Sequence, residues 1–188
     1  MTYVPLEVKL EEVRGVLFSM KAMRKPKGSY SDSYRSTCGR QLGESDKKLA
    51  GSLIRAGNDH AKAMRGIIAY VEVKMQVGFM IEFETYRCGV ECLSTSSAMH
   101  GELKELKGIE LAEKKQEDLV GKVYDRSLTM SYQSLRSIYK ARWNHRHPDW
   151  AIFCNWIESL PFADSLILPE GFRDTKLRLD KMFPDRVK

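Results

Sequence analysis

The chain has 188 residues, 43% hydrophobic and 30% charged, an ordinary globular balance and enough length to bury a core in one domain. Its net charge of +6 favours anionic partners without choosing among a nucleotide, a nucleic acid and an acidic protein. No apolar run reaches membrane-spanning length and the first residues lack a secretory pattern, so a cytoplasmic location without membrane attachment is expected.

In chain order, residues 8–23 carry Val13, Val16, Leu17 and Met20 at helical spacing, which suits a helix or a strand followed by a helix. Residues 25–34 are a loop by their Pro, Gly and Ser content, bordered by the basic cluster Lys21, Arg24, Lys25 and Lys27. A helix opens near Gly43, with Ser45 as a cap and Gly57 as its end. Asp59 is placed to cap a second helix carrying His60, Lys62 and Arg65, with Met64, Ile67, Ile68 and Val71 inward. Residues 70–84 are apolar enough for a buried helix, while their β-branched members keep a strand open.

Residues 102–118 mix charges as a solvated helix does. Ser131 caps a helix running to Arg142, with Leu135, Ile138 and Tyr139 inward. Pro148 suits the first turn of a last long helix, whose Trp150, Phe153, Cys154, Ile157 and Leu160 repeat at helical spacing as core or subunit-interface residues. The tail from Phe172 is basic and partly helical. The expected fold class is α+β, mostly helical with a small sheet, in a single domain covering residues 1–188.

Four cysteines, Cys38, Cys88, Cys92 and Cys154, are few for a disulfide scaffold and are expected as small, semi-buried core thiols. A zinc site on Cys88, Cys92 and His100 lacks a second clear ligand pair, so no metal is assigned. There is no phosphate-loop or nucleophile-elbow motif, and catalytic residues stay unassigned. A polymeric nucleic-acid partner stays open, with no recognisable motif behind it.

The segment richest in chemistry runs from Phe83-Glu84-Thr85-Tyr86-Arg87 to Ser94-Thr95-Ser96-Ser97-Ala98-Met99-His100. A guanidinium fork matches phosphate oxygens, and the hydroxyls of Ser94, Ser96 and Ser97 with turn N–H groups complete an anion cradle. Arg87 with these serines and Arg142 is the expected ligand site, with His60 or His100 as a second-tier contact. The competing reading is a polar loop whose Arg87 pairs with Glu82 or Glu84.

The same residues carry a resemblance. Residues 75–87 are similar to the stretch of flavin-dependent thymidylate synthases that ends in their R-H-R-x-x-S signature, with Arg87 at its last arginine. Ser134-Leu135-Arg136-Ser137-Ile138-Tyr139-Lys140-Ala141-Arg142 resembles that family's S-L-x-x-F-L-x-x-R helix. The resemblance implies a thymidylate synthase-like fold, an Arg142 that contacts nucleotide, and a homotetramer with nucleotide pockets shared between subunits. The chain departs from the pattern at Thr85, Tyr86, Val90, Cys92 and Ser137, which bears on flavin and substrate contacts. A closer likeness is to a recurring family of phage and prophage proteins. It rests on Leu42-Gly43-Glu44, Gly57-Asn58-Asp59-His60, Phe83-Glu84-Thr85-Tyr86-Arg87, Ser97-Ala98-Met99-His100 and the run from Phe153 to Pro161.

Together these imply a phage-type protein in the cytoplasm of a bacterial host that captures a nucleotide-like ligand, sequestering a host defence signal. The alternative is a flavin-dependent methyl- or hydroxymethyl-transferase acting on a deoxyuridine nucleotide, with FAD as cofactor.

Overall fold

The computed structural model describes residues 3–30, 42–97, 103–116, 122–173 and 175–183. β1 (Glu7–Arg14) leads into α1 (Val16–Arg24), and α2 (Glu44–Arg55) precedes a 3-10 turn (Lys62–Gly66). Then come β2 (Ile68–Gln76), α3 (Val77–Phe83), β3 (Val90–Thr95), α4 (Gly108–Gln116) and β4 (Val123–Ser131). α5 (Tyr132–Arg142), α6 (Pro148–Glu158), α7 (Ala163–Leu166) and α8 (Thr175–Met182) complete the described elements. No helix of the described residues is long and apolar enough to cross a membrane.

The strands form one antiparallel sheet in the order β1-β2-β4-β3. The period-2 alternation of a strand sends Ala69, Val71, Val73 and Met75 to one face, where they are buried beside Leu128 and Met130. The other face carries Tyr70, Glu72 and Lys74, with Ser127 donating to Glu72 at 2.8 Å. Among the described residues, helices cover the apolar face. α5 contributes Tyr132, Leu135, Ile138 and Tyr139 to the core, and α6 contributes Trp150, Phe153, Cys154 and Ile157. The Trp150 ring is fully buried against Phe79 of α3 at 4.7 Å. Truncating a tryptophan so placed costs about 3–5 kcal/mol.

Both late helices start as their sequences dictate. The Ser131 hydroxyl accepts from the Ser134 N–H at 3.1 Å, and Pro148 occupies the first turn of α6 behind the cap His147. At the N-terminal end the chain takes the strand-then-helix form. The break is Gly15, at φ +86, where a Cβ would sit 1.9 Å from the Gly66 carbonyl oxygen. α2 is anchored from α1: Arg24, 4% exposed, donates from Nε to Asp46 at 2.6 Å and from Nη2 to Ser45 at 3.0 Å. Ser45 thus serves Arg24, and Gly43 takes the cap position.

Three expectations need correction. The second helix from Asp59 is a 3-10 turn, capped at Ala61, that gives way to β2. Ile68, Val71 and Val73 find strand partners on both sides, a gain that overrides the helical spacing. The apolar run 70–84 is that strand through Gln76 and a helix only after it. Cys88 and Cys92 are exposed, Cys92 on the edge strand β3, and Cys154 alone of the described cysteines is buried. Cys38 lies outside the described residues.

Candidate functional site

At the end of the sheet where β2 begins and β4 ends, the pairing of Ile68 with Ser131 brings three segments around a cleft of about 770 Å³. These are the 3-10 turn, the loop after α3 and the first turns of α5. Hydroxyls lace the loop to the helix. Ser131 donates its N–H to the Gly89 carbonyl at 2.8 Å, Ser134 donates its hydroxyl to the Cys88 carbonyl, and the two hydroxyls lie 2.8 Å apart. Gly89 sits at φ +72, and a Cβ there would meet the Ser134 hydroxyl at 2.5 Å. Only glycine lets the loop approach α5 so closely.

Two guanidinium groups border this cleft. Arg87, exposed, donates from Nε to the Glu84 main-chain carbonyl at 3.3 Å. The carboxylates that competed for it are engaged elsewhere: Glu84 pairs with the buried Arg126, and Glu82 accepts from Trp150 Nε1 at 2.9 Å. Arg65, from the 3-10 turn, donates from Nε to Gln133 Oε1 at 2.7 Å. That bond fixes the Gln133 amide on the first turn of α5. Cations, hydroxyls and the positive end of a helix therefore converge on one space, an arrangement suited to an anion.

Tyr86 is the aromatic residue of the cleft. Its hydroxyl accepts from Arg142 Nε at 2.6 Å, and its ring meets Trp150 edge-on at 5.5 Å. The Arg142 guanidinium lies 4.8 Å over the Trp150 ring. On the far side of this stack the Trp150 N–H holds the Glu82 carboxyl below its ordinary range. Burial, and next the charge of Arg142, lower the pKa of the neighbouring His145.

The residues singled out from the sequence are distributed unevenly. Arg87 lines the cleft, and Arg142 stands behind Tyr86 rather than in the lining. Ser94, Ser96 and Ser97 are not in it. The start of the hydroxyl-rich run, Ser94 and Thr95, is the end of β3 and pairs with β4, and Ser96 and Ser97 follow the strand. Ser94 lies opposite Ser127, and Ser96 exchanges bonds with Asp125, its N–H donating at 2.7 Å and its hydroxyl accepting at 3.0 Å. At the rise of a strand, Ser96 lies roughly 20 Å along the chain from the Gly89 end. The hydroxyls in the cleft come instead from Ser131, Ser134 and Ser137. His60 borders a different cavity, and His100 lies outside the described residues. Arg65, Gln133, Asn58 and Tyr86 were not expected there. Tyr86 carried a signal as a departure from the synthase signature next to Arg87, and Asn58 as part of the run Gly57-Asn58-Asp59-His60.

No protein-family model matches the sequence, and no curated protein matches it. Solved structures do match the fold. Thymidylate synthase X from Helicobacter pylori, in complex with FAD and dUMP, superposes at a TM-score of 0.67 with 14% identity, covering 88% of this chain and 98% of that one. The UMP/dUMP methylase PolB from Streptomyces cacaoi, bound with 5-Br dUMP, gives 0.62 with 11% identity over 94% of this chain and 95% of that one. The chain has the α+β fold of the flavin-dependent thymidylate synthases.

Proposed function

We propose that the cleft binds the phosphate of a nucleotide. The observation that carries this is the convergence of Arg65 and Arg87 with the hydroxyls of Ser131, Ser134 and Ser137 at the start of α5. A phosphate takes several donors at once, and a guanidinium beside hydroxyls and a helix N-terminus supplies them. The nucleotides bound by the H. pylori synthase and by PolB support the same ligand class here.

In this reading the site is completed by association into a homotetramer. Leu93 on β3 and Ile81 on α3 are each more than three-fifths exposed, an apolar surface suited to a second copy. Ser94, Ser96, Ser97 and Arg142 then serve a pocket shared between copies, with His60 or His100 as outer contacts. Light scattering at micromolar concentration tests this: a tetramer is expected, and a monomer argues against it.

The role assigned is capture of a nucleotide, including a signalling nucleotide of host defence, by a phage-type protein. Its support is the likeness to phage and prophage proteins and the departures at Thr85, Tyr86, Val90 and Cys92. The second reading, flavin-dependent methyl or hydroxymethyl transfer, is favoured by the FAD held in the H. pylori fold relative. The donor set fits a flavin: the Asn58 and Gln133 amides suit its polar edge, and Ile68 with Ile138 its apolar face. Bound flavin supplies the reducing equivalents for such a transfer. The absorbance of purified protein separates the readings. A colourless preparation that releases a nucleotide on denaturation supports capture, and a yellow one with flavin bands supports the enzyme.

A further inference from the structure

We propose that a second cavity, of about 570 Å³ between α1, α2 and the 3-10 turn, is a binding site for a flat aromatic ring carrying one anionic group. This site is independent of the nucleotide cleft. The 3-10 turn separates the two, with Arg65 bordering the first cleft and Lys62 and Ala63 bordering the second cavity.

The observation that points to a ligand is Ser19. It is 1% exposed and lines the cavity, yet its hydroxyl has no hydrogen-bond partner among the described residues. A buried hydroxyl left unmade costs free energy, so such groups call for a partner. Gly66 packs close beside it, and a Cβ there would stand 2.9 Å from the Ser19 hydroxyl. Around it Ala22, Met23 and Leu53 form apolar walls. Phe18 borders the cavity with 74% of its surface in water, a large exposure for an aromatic residue.

The charge of the ligand follows from the rim. Lys62 and His60 border the cavity, with Asp59 as the opposing carboxylate. Pro26, also in the lining, sits between Lys25 and Lys27, which are exposed. Lys62 balances Asp59 in the lining, and the exposed Lys25 and Lys27 beside Pro26 tip the rim toward positive charge. A ring packed between Phe18 and the apolar walls offers its polar edge to Ser19 and its anionic group to Lys62. Pockets of this composition, apolar with a few placed polar groups, are where small molecules bind.

Calorimetry on the full chain tests the site with two probes, adenosine 5′-monophosphate and anthranilate, which separate a phosphate-bearing from a carboxylate-bearing ligand. At least one should bind. In the Arg87→Ala background, which weakens the first cleft's own hold on a phosphate, Lys62→Ala and Ser19→Ala should each weaken the remaining binding about tenfold, the loss of one hydrogen bond or charge contact. Ser19→Ala should also raise the ligand-free melting temperature, because it removes an unpaired buried hydroxyl. Should Ser19→Ala not fold, the exposed Lys62→Ala decides. The site is overturned if neither probe binds or if both variants bind like wild type. Binding that only Arg87→Ala abolishes overturns it too, since it then belongs to the first cleft.

Discussion

Arg142 and Tyr86, 56 positions apart in the chain, are joined by a hydrogen bond of 2.6 Å from Nε to the phenol oxygen. The bond sets the ring of Tyr86 at the cleft, and the guanidinium that makes it is itself held over Trp150. In this chain Arg142 positions an aromatic wall. Arg142→Ala should lower ligand-free stability by about 1–2 kcal/mol through the lost charged bond and ring contact. Denaturant titration measures it. Tyr86→Phe should reproduce only the hydrogen-bond part.

Arg87 behaves differently. It is exposed, and its one described side-chain bond is a long one to the Glu84 carbonyl. Arg87→Lys keeps the charge and loses the planar fork. The ligand-free melting temperature should stay where it is, while ligand-induced stabilisation falls. A lowered ligand-free melting temperature with intact affinity would mean that Arg87 is structural.

Gly89→Ala should be costly for two reasons. Alanine at a left-handed φ loses about 1–2 kcal/mol, and its Cβ meets the Ser131 and Ser134 hydroxyls. The loop must then leave α5, so affinity should fall together with stability. Loss of stability with unchanged affinity would detach the ligand from this cleft.

Removing Asp46 takes the only described carboxylate partner from the guanidinium of Arg24, which is 4% exposed. Asp46→Ala should cost about 3–5 kcal/mol, the range for breaking a buried pair from one side. The double variant Asp46→Ala/Arg24→Met should recover much of that loss, and chemical denaturation of all three variants gives the coupling.

Acid should weaken the fold in two windows. The folded pKa of His145 lies below the ordinary 6.5 through burial, and next through the Arg142 charge. As pH falls the unfolded chain takes that proton first, so stability declines from about 6.5 down to the folded value. The Glu82 carboxyl lies below its ordinary 4.5 because Trp150 donates to it. Its contribution is present above that value and is lost as pH falls through the folded one. Melting temperature against pH should show both slopes, with His145→Asn flattening the upper and Glu82→Gln the lower.

Short-range features were legible in the sequence. α5 and α6 follow from Ser131, Pro148 and the apolar spacing of Leu135, Ile138, Trp150, Phe153 and Ile157, all signals within a few turns of one helix. β2 was obscured because it is a central strand: Ile68–Gln76 has its buried members set by pairing on both edges. Arg87 was visible through its neighbours, but its companions Arg65 and Gln133 meet only because Ile68 pairs with Ser131 across the sheet. The place of Ser94 was hidden for the converse reason. A hydroxyl-rich run suits a turn locally, and pairing with β4 made its first residues the end of a strand.

The 3-10 turn from Lys62 to Gly66 is one short wall between two cavities. Were a ligand on Arg65 to displace this turn, Lys62 and Gly66 would move with it, and the reverse would hold equally. Linkage then fixes the arithmetic: whatever factor one occupant imposes on the affinity of the other, it receives in return. Titrating either ligand in the presence of its counterpart must give the same coupling factor in both orders. Five residues of backbone would then be enough to make two binding events report on each other.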